Sequence, residues 1–307
     1  MTGQQVADLL GATIPDAAGE ATWSPVQSPT PTADLFEGSV CNPINGMAIP
    51  CLLYRPANGN SRGGVVAIHQ HNDEYELGKS EPAGLSGNPD AAYGRTMAEK
   101  GFTVIMPDLD CFESRADPAG NHAKYELSRA LNAVALGRSL HAEYVQDVLA
   151  CARYLEGLNG VTGVGLIGHS LGGQIAFLCL AIDPRIEMGV ISCGLTTFEA
   201  CRSHDVVHNP GWYIPGLEAE GGYEAIAAGI RGKQILATAA QDDVPFPAEG
   251  ARRVQQAFAD GVLHTVWREG PHDLTPDALA HMTDWLEAAI TRPRVGRPPR
   301  VASPRTG

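Results

Sequence analysis

The 307-residue sequence predicts an α/β fold, a mostly parallel central sheet with helices on both faces. Two observations carry that prediction. Short apolar runs such as VVAIHQ (65–70), VGLIGH (164–169) and KQILATAA (233–240) read as strands buried on both faces. They alternate with segments of helical periodicity, the order that builds crossover units around a parallel sheet. Hydrophobic residues make up 44% and charged residues 19% of the chain, enough apolar surface for such a core.

The first forty residues are rich in Pro and Thr around SPVQSPTPT and are expected to lie as a loose N-terminal arm, residues 1–40, over a domain spanning 41–290. Regular alternation is expected after that. The strand at 65–70 precedes helical spacing over 91–100, closed by Gly101. TVIMPD (103–108) is the next strand. Residues 138–158 place Leu140, Tyr144, Val148, Ala152 and Leu155 on one helical face. The strand 164–169, a helix over 172–182 and the strand MGVISCG (188–194) follow. The strand 233–240, a helix over 247–259, the strand HTVWRE (264–269) and a helix over 276–290 end the series. Residues 196–232 break the rhythm with HNPGWYIPGLEAEGG, too long for a plain connection, and are expected to form a lid or substrate wall.

Charge and cysteine usage narrow the class. The formal net charge of −13 argues against nucleic acid as a partner and gives no pull toward an anionic membrane. The segment from Thr291 to Gly307 is different: it carries Arg292, Arg294, Arg297, Arg300 and Arg305 without an acid, and is expected to be a disordered tail. Seven cysteines without CxxC spacing point to a reducing, cytoplasmic setting rather than a disulfide scaffold. No apolar run approaches 18 residues and the N-terminus lacks the pattern of a signal peptide.

The stretch VTGVGLIGHSLGG (161–173) carries the chemistry. Gly168-x-Ser170-x-Gly172 between a strand and the apolar helix QIAFLCLAI has the pattern of a nucleophile elbow. The glycines are required because a β-carbon on either side of so sharp a turn would strike backbone. A serine hydroxyl needs a base, and the base needs an orienting acid. His264 opens a strand, His281 lies mid-helix, and His204 and His208 come too early for the order Ser, acid, His. His272, between the last strand and last helix, is therefore the candidate base. Asp242 and Asp243 in QDDVPFP both qualify as the acid. The oxyanion hole needs two backbone N–H groups: that of Leu171, and one from the loop after VVAIHQ, at His71 or Gln70. His69 and His71, with Asp73, offer a weaker metal-binding reading of the same loop.

With these residues assembled, the chain resembles the α/β-hydrolases, and within them the dienelactone-hydrolase and acetyl-xylan-esterase-like group. GHSLGG, HQHNDEYELGKSEPAG, VIMPDLDCFESR, HNPGWYIPGL and QDDVPFPAEGARR carry the resemblance, over roughly residues 40–290. It implies that the aspartate four before Pro247, Asp243, is the triad acid. It departs at Ala240, where glycine is usual, at Pro271 before His272, and in having serine where dienelactone hydrolases proper have cysteine.

The resemblance implies cleavage of a small-molecule carboxylic ester through an acyl-serine, with no metal or organic cofactor. Glu81, Cys111, Glu113, Arg115, His208, Trp212 and Tyr213 lie on loops expected at the carboxyl ends of the strands and are candidate substrate contacts. The same triad would also serve a peptidase or amidase, or a biosynthetic acyltransferase or cyclase. A binding module would not need the serine and histidine to be kept. A homodimer through an edge strand or the N-terminal arm is compatible with the sequence.

Overall fold

A computed structural model of the chain describes residues 1–292. Nine strands form one sheet: β1 (Ala21–Val26), β2 (Ala33–Cys41), β3 (Ala48–Pro56), β4 (Gly64–Ile68), β5 (Thr103–Pro107), β6 (Val164–His169), β7 (Met188–Ser192), β8 (Gln234–Ala240) and β9 (Leu263–Arg268). The spatial order is β1-β2-β3-β5-β4-β6-β7-β8-β9. The first three strands pair antiparallel with one another, and β3 pairs antiparallel with β5. From β5 to β9 every pairing is parallel. All residues of β4, β5, β6 and β7 are buried, as continuous apolar strands covered on both faces must be.

Nine α-helices connect the strands among the described residues: α1 (Gly3–Leu10), α2 (Tyr93–Glu99), α3 (His122–Ala135), α4 (Leu140–Glu156), α5 (Leu171–Ile182), α6 (Phe198–Ser203), α7 (Gly222–Gly229), α8 (Ala248–Ala257) and α9 (Pro276–Thr291). On one face Val148, Leu149, Ile175 and Leu178 of α4 and α5 pack with Ile68, Leu166 and Ile191. On the other, Tyr93 and Met97 of α2 and Met282 and Leu286 of α9 pack with Val65, Val104 and Ile167. This two-faced core is the doubly covered parallel sheet that the alternation predicts.

Two expectations change. Residues 1–40 are not a loose arm. Thr2 caps α1 in a reciprocal capping box with Gln5, and Val6, Ala7 and Leu10 are buried in the core beside α5. Pro25 lies on β1, an edge strand with a sheet neighbour on one side only, the position at which a strand tolerates proline. In ADLFEGSVC, Ala33 and Leu35 are buried on one face of the sheet and Val40 on the other, which makes β2 an integral strand, so the boundary at 40/41 falls inside the sheet. The segment 196–232 is likewise no free-standing lid. It contains α6 and α7, and Trp212, Leu217 and Tyr223 belong to the main core. The proposed Pro/Arg tail begins at Thr291, the last residue of α9, and from residue 293 onward lies outside the described residues.

Candidate active site

The site lies at the carboxyl ends of β6, β7 and β8, where a parallel sheet presents its loops on one side. Ser170 joins β6 to α5 with φ 55° and ψ −121°, a conformation that L-residues rarely adopt. The glycines make room for it. A β-carbon on Gly168 would overlap the backbone of Gly172, and one on Gly172 would overlap the carbonyl of Ile68. The turn puts Ser170 at the amino end of α5, where the first N–H groups of the helix lack intrahelical acceptors.

His272 sits in the loop between β9 and α9. Its Nδ1 lies 2.8 Å from Asp243 Oδ2, in the loop after β8. Asp243 is buried and its other oxygen accepts the Phe246 N–H at 2.7 Å. Asp242 is exposed and gives its own N–H to the Gly270 carbonyl, so only one of the two adjacent acids meets the imidazole. The Phe246 ring lies parallel to His272 at 5.4 Å and 6°. Ser170 and His272 line one cavity of about 370 Å³ together with Leu171, His71, Val207, His208 and Phe246. Among the described residues the Ser170 hydroxyl has no hydrogen bond, so the contact from serine to histidine is open. Catalytic hydrogen bonds commonly tighten only with substrate present.

Of the residues whose amides are expected to receive an oxyanion, Leu171 and His71 line this cavity and Gln70 lines the neighbouring one. Leu171 is the first residue of α5, and neither its N–H nor that of His71 has a backbone acceptor among the described residues. His71 is pinned through its ring: Nδ1 accepts the Asp73 N–H at 3.0 Å, so Nε2 carries the proton, 3.1 Å from Glu126 Oε2. His69 is fully buried, with Nδ1 against the Gln70 carbonyl and Nε2 accepting the Leu109 N–H. Burial holds its pKa down at about 4. With both rings committed in this way, His69 and His71 do not converge as a metal pair. A different group, Cys193, Asp243 and His272, presents donor atoms within 4.8 Å of one another and could hold a cation such as zinc. There the Asp243 carboxylate already accepts from His272.

The expected substrate contacts separate. His208 lines the Ser170 cavity, stacked on Trp212 at 4.3 Å, and burial lowers its pKa to about 4, leaving it neutral at pH 7. Glu81 and Gln70 line a neighbouring cavity that shares His272. The other candidates are corrected. Trp212 is 1% exposed and supports His208 from behind. Tyr213 faces a separate outer hollow beside Phe198 and Ile214. Cys111 is fully buried in the core. Arg115 is held by Asp147 at 2.7 Å and by the Asp108 carbonyl, and Glu113 by Lys79 at 2.6 Å. Loop position alone could not separate these from His208, because it does not say toward which side a side chain packs.

Some supporting residues were not foreseen. His169, inside the elbow, is buried with its ring 4.7 Å from that of His272. Thr238 donates to Ser192 at 2.9 Å, and the Ser192 hydroxyl in turn meets His169 Nδ1 at 2.9 Å. The other side of the ring reaches the His272 backbone. Burial first, and the nearby His272 and Arg268 next, push its pKa well below the ordinary histidine value. Arg268 ties the loop from β9 by donating to the Asp273 carbonyl. Cys193 borders the acid, and burial raises its thiol to about 12. The variable position of a GxSxG motif carried no signal for the role of His169.

No family model matches the chain. The structure is similar to the acetyl xylan esterase from Paenibacillus sp. R4, with a TM-score of 0.67 at 14% identity over 93% of this chain and 92% of the other. The chain has the α/β-hydrolase fold. A glucuronoyl esterase from Solibacter usitatus is a second structural neighbour, with a TM-score of 0.65 at 15% identity over 93% and 91% of the two chains. In sequence, the chain is 23% identical over 197 residues to the Bacillus subtilis (strain 168) protein named "Putative hydrolase YtaP". That match covers 62% of this chain and spans 64% of the relative's length, under two thirds of it.

Proposed function

We propose that this α/β-hydrolase is a serine ester hydrolase acting on a small-molecule carboxylic ester. The observation that carries the reading is the 2.8 Å contact from Asp243 to His272 at a cavity that also holds the strained elbow serine. With Nδ1–H given to Asp243, His272 Nε2 is free to take the Ser170 proton as the hydroxyl attacks the carbonyl carbon. The Leu171 amide and one from 70–71 receive the developing oxyanion. The tetrahedral intermediate collapses, His272 protonates the leaving alcohol, and the acyl-serine forms. Water, deprotonated by the same nitrogen, then releases the acid and restores Ser170. The stacked Phe246 and the ring of His169 fix the plane of His272 throughout.

The esterase names of both structural neighbours support this reading at the level of reaction class. Those names concern different esters, so the acyl and alcohol parts must be argued from this chain's own cavities. Free cysteines, six of them buried, fit the proposed cytoplasmic setting. No helix among the described residues is long and apolar enough to cross a membrane.

The test is intact-mass analysis after exposure to a fluorophosphonate, beside Ser170→Ala, followed by turnover of p-nitrophenyl esters of increasing acyl length. A single adduct that disappears in the variant, with ester turnover, supports the reading. Absence of an adduct on the folded wild type would overturn it.

A further inference from the structure

His272 and Asn72 border two cavities rather than one. The first holds Ser170. The second, about 190 Å³, is lined by Gln70, Glu74, Glu81, Asn88 and Asp273 among others, and by no lysine or arginine. Glu81 is 3% exposed. Its Oε1 accepts the Gln70 side-chain amide at 3.0 Å and the Asn88 N–H at 3.3 Å. Its Oε2 has no hydrogen bond among the described residues. A β-carbon on Gly87 would collide with this carboxylate, so the chain closes directly onto it.

Glu81 stands apart from the other buried acids. Asp108 meets Lys79, Asp110 meets Arg129, Asp147 meets Arg115, Asp183 meets Arg185, Glu126 meets His71 and Asp243 meets His272. Glu81 meets no cation. A carboxylate removed from water without a counter-charge is costly, and folded chains rarely keep one unless something pairs with it. Burial raises its pKa, the Gln70 and Asn88 hydrogen bonds oppose that, and Glu74 adds to it, with no positive group in the balance. The two other acids at this cavity, Glu74 and Asp273, are exposed and add negative potential at its mouth.

The position says which part of a substrate would supply the cation. This step rests on the proposed ester hydrolysis. The leaving alcohol oxygen must reach His272 Nε2 for its proton, while the acyl carbon stays with Ser170. His272 borders both cavities, so the alcohol beyond its oxygen extends into the cavity of Glu81. We propose that this cavity is an alcohol-side subsite for a cation, and that the preferred substrates are esters of amino or quaternary-ammonium alcohols. The Glu81 carboxylate then pairs with the ammonium, and Gln70 and Asn88 hold the carboxylate in place.

The test uses three acetate esters that share one acyl group: 2-(trimethylammonio)ethyl acetate, its neutral isostere 3,3-dimethylbutyl acetate, and anionic 2-sulfonatoethyl acetate. On wild type the cationic ester should exceed the neutral one by about tenfold or more in kcat/KM, and the anionic ester should be poorest. In Glu81→Gln, which keeps the hydrogen-bonding shape and removes the charge, the cationic-to-neutral ratio should fall to near one. If Glu81 only braced the loop, the variant would slow all three esters alike, and that result would overturn the proposal. So would a wild type that shows no preference, or a preference that survives Glu81→Gln. A measurement on wild type alone covers a variant that fails to fold: choline should inhibit phenyl acetate hydrolysis at lower concentration than 3,3-dimethylbutanol does, and equal inhibition counts against the subsite. If wild type hydrolyses no ester at all, the ester reading fails instead. Calorimetric titration with choline then decides the cavity by itself, with absence of binding overturning the cation site.

Discussion

The carboxyl ends of β6 to β8 and the antiparallel flank β1 to β3 belong to one sheet but are built on opposite terms. The flank consists of antiparallel strands with positive φ only at glycine and with apolar packing, Leu35, Val40 and Leu53 being fully or almost fully buried. The site end carries a serine at positive φ, a buried histidine beside another histidine, and a buried acid with no cation. The strain and the unpaired charge collect where ligand would meet the chain, and the flank stabilises the frame that holds them. Substitutions at the two regions should therefore act on different observables.

The largest expected effect is at the elbow. Ser170→Ala should lower kcat by roughly 10³–10⁶-fold and leave the melting temperature close to wild type. A variant that retains most of its turnover would remove the site end from the comparison altogether. Asp243→Asn comes next, with a fall of roughly 10³–10⁴-fold in kcat, because an amide no longer favours the Nδ1–H tautomer and the imidazolium that forms. Steady-state kinetics together with circular dichroism check that the loss is chemical.

In the supporting frame, of which helix α1 packed on α5, α4 and α7 is a part, the sign of the comparison reverses. Leu10→Ala removes a fully buried side chain from the core next to α5 and should cost about 3–5 kcal/mol of stability, read by denaturant unfolding. The kcat of the remaining folded protein should stay within about twofold of wild type if that frame is separable from the chemistry. A large drop in kcat under native conditions would break the distinction.

A dependence on pH sharpens it. Burial holds His69 and His208 near 4 and His141 near 3, all around the site rather than in the flank. Their folded values lie below the unfolded value of 6.5, so the unfolded chain takes up protons first as pH falls. The stability they contribute is complete above about pH 6.5 and is lost toward pH 4, by about 1.4 kcal/mol per pH unit for each group in that window. Thermal unfolding from pH 7.5 to 4.5 should show this slope, and His141→Phe should make it shallower by roughly one group's share.

The sequence made the site's skeleton legible because its constraints are local. Glycines at 168 and 172 are demanded by a turn that no β-carbon fits, and the apolar runs of β4 and β6 flag burial on both faces. His272 could be chosen because chain order and loop position excluded its competitors. The N-terminal strands escaped because Pro25 and the polar residues of an edge strand look like linker until pairing with β2 is seen. Helix α3, which supplies Glu126 to His71, was also missed.

By itself, then, the sequence determined the alternating α/β order, the elbow and its serine, and the histidine at the end of the last strand. Between Asp242 and Asp243 it offered only a resemblance. The tertiary structure decided which of the two adjacent acids turns inward, that His208 lines the cavity while Trp212 and Arg115 do not, and that Glu81 is buried without a partner. The physical reason is range. Turn sterics and periodicity act over a few residues and are written in the chain. Side-chain direction, desolvation and charge pairing depend on atoms tens to hundreds of residues away, and exist only once the sheet has brought them together.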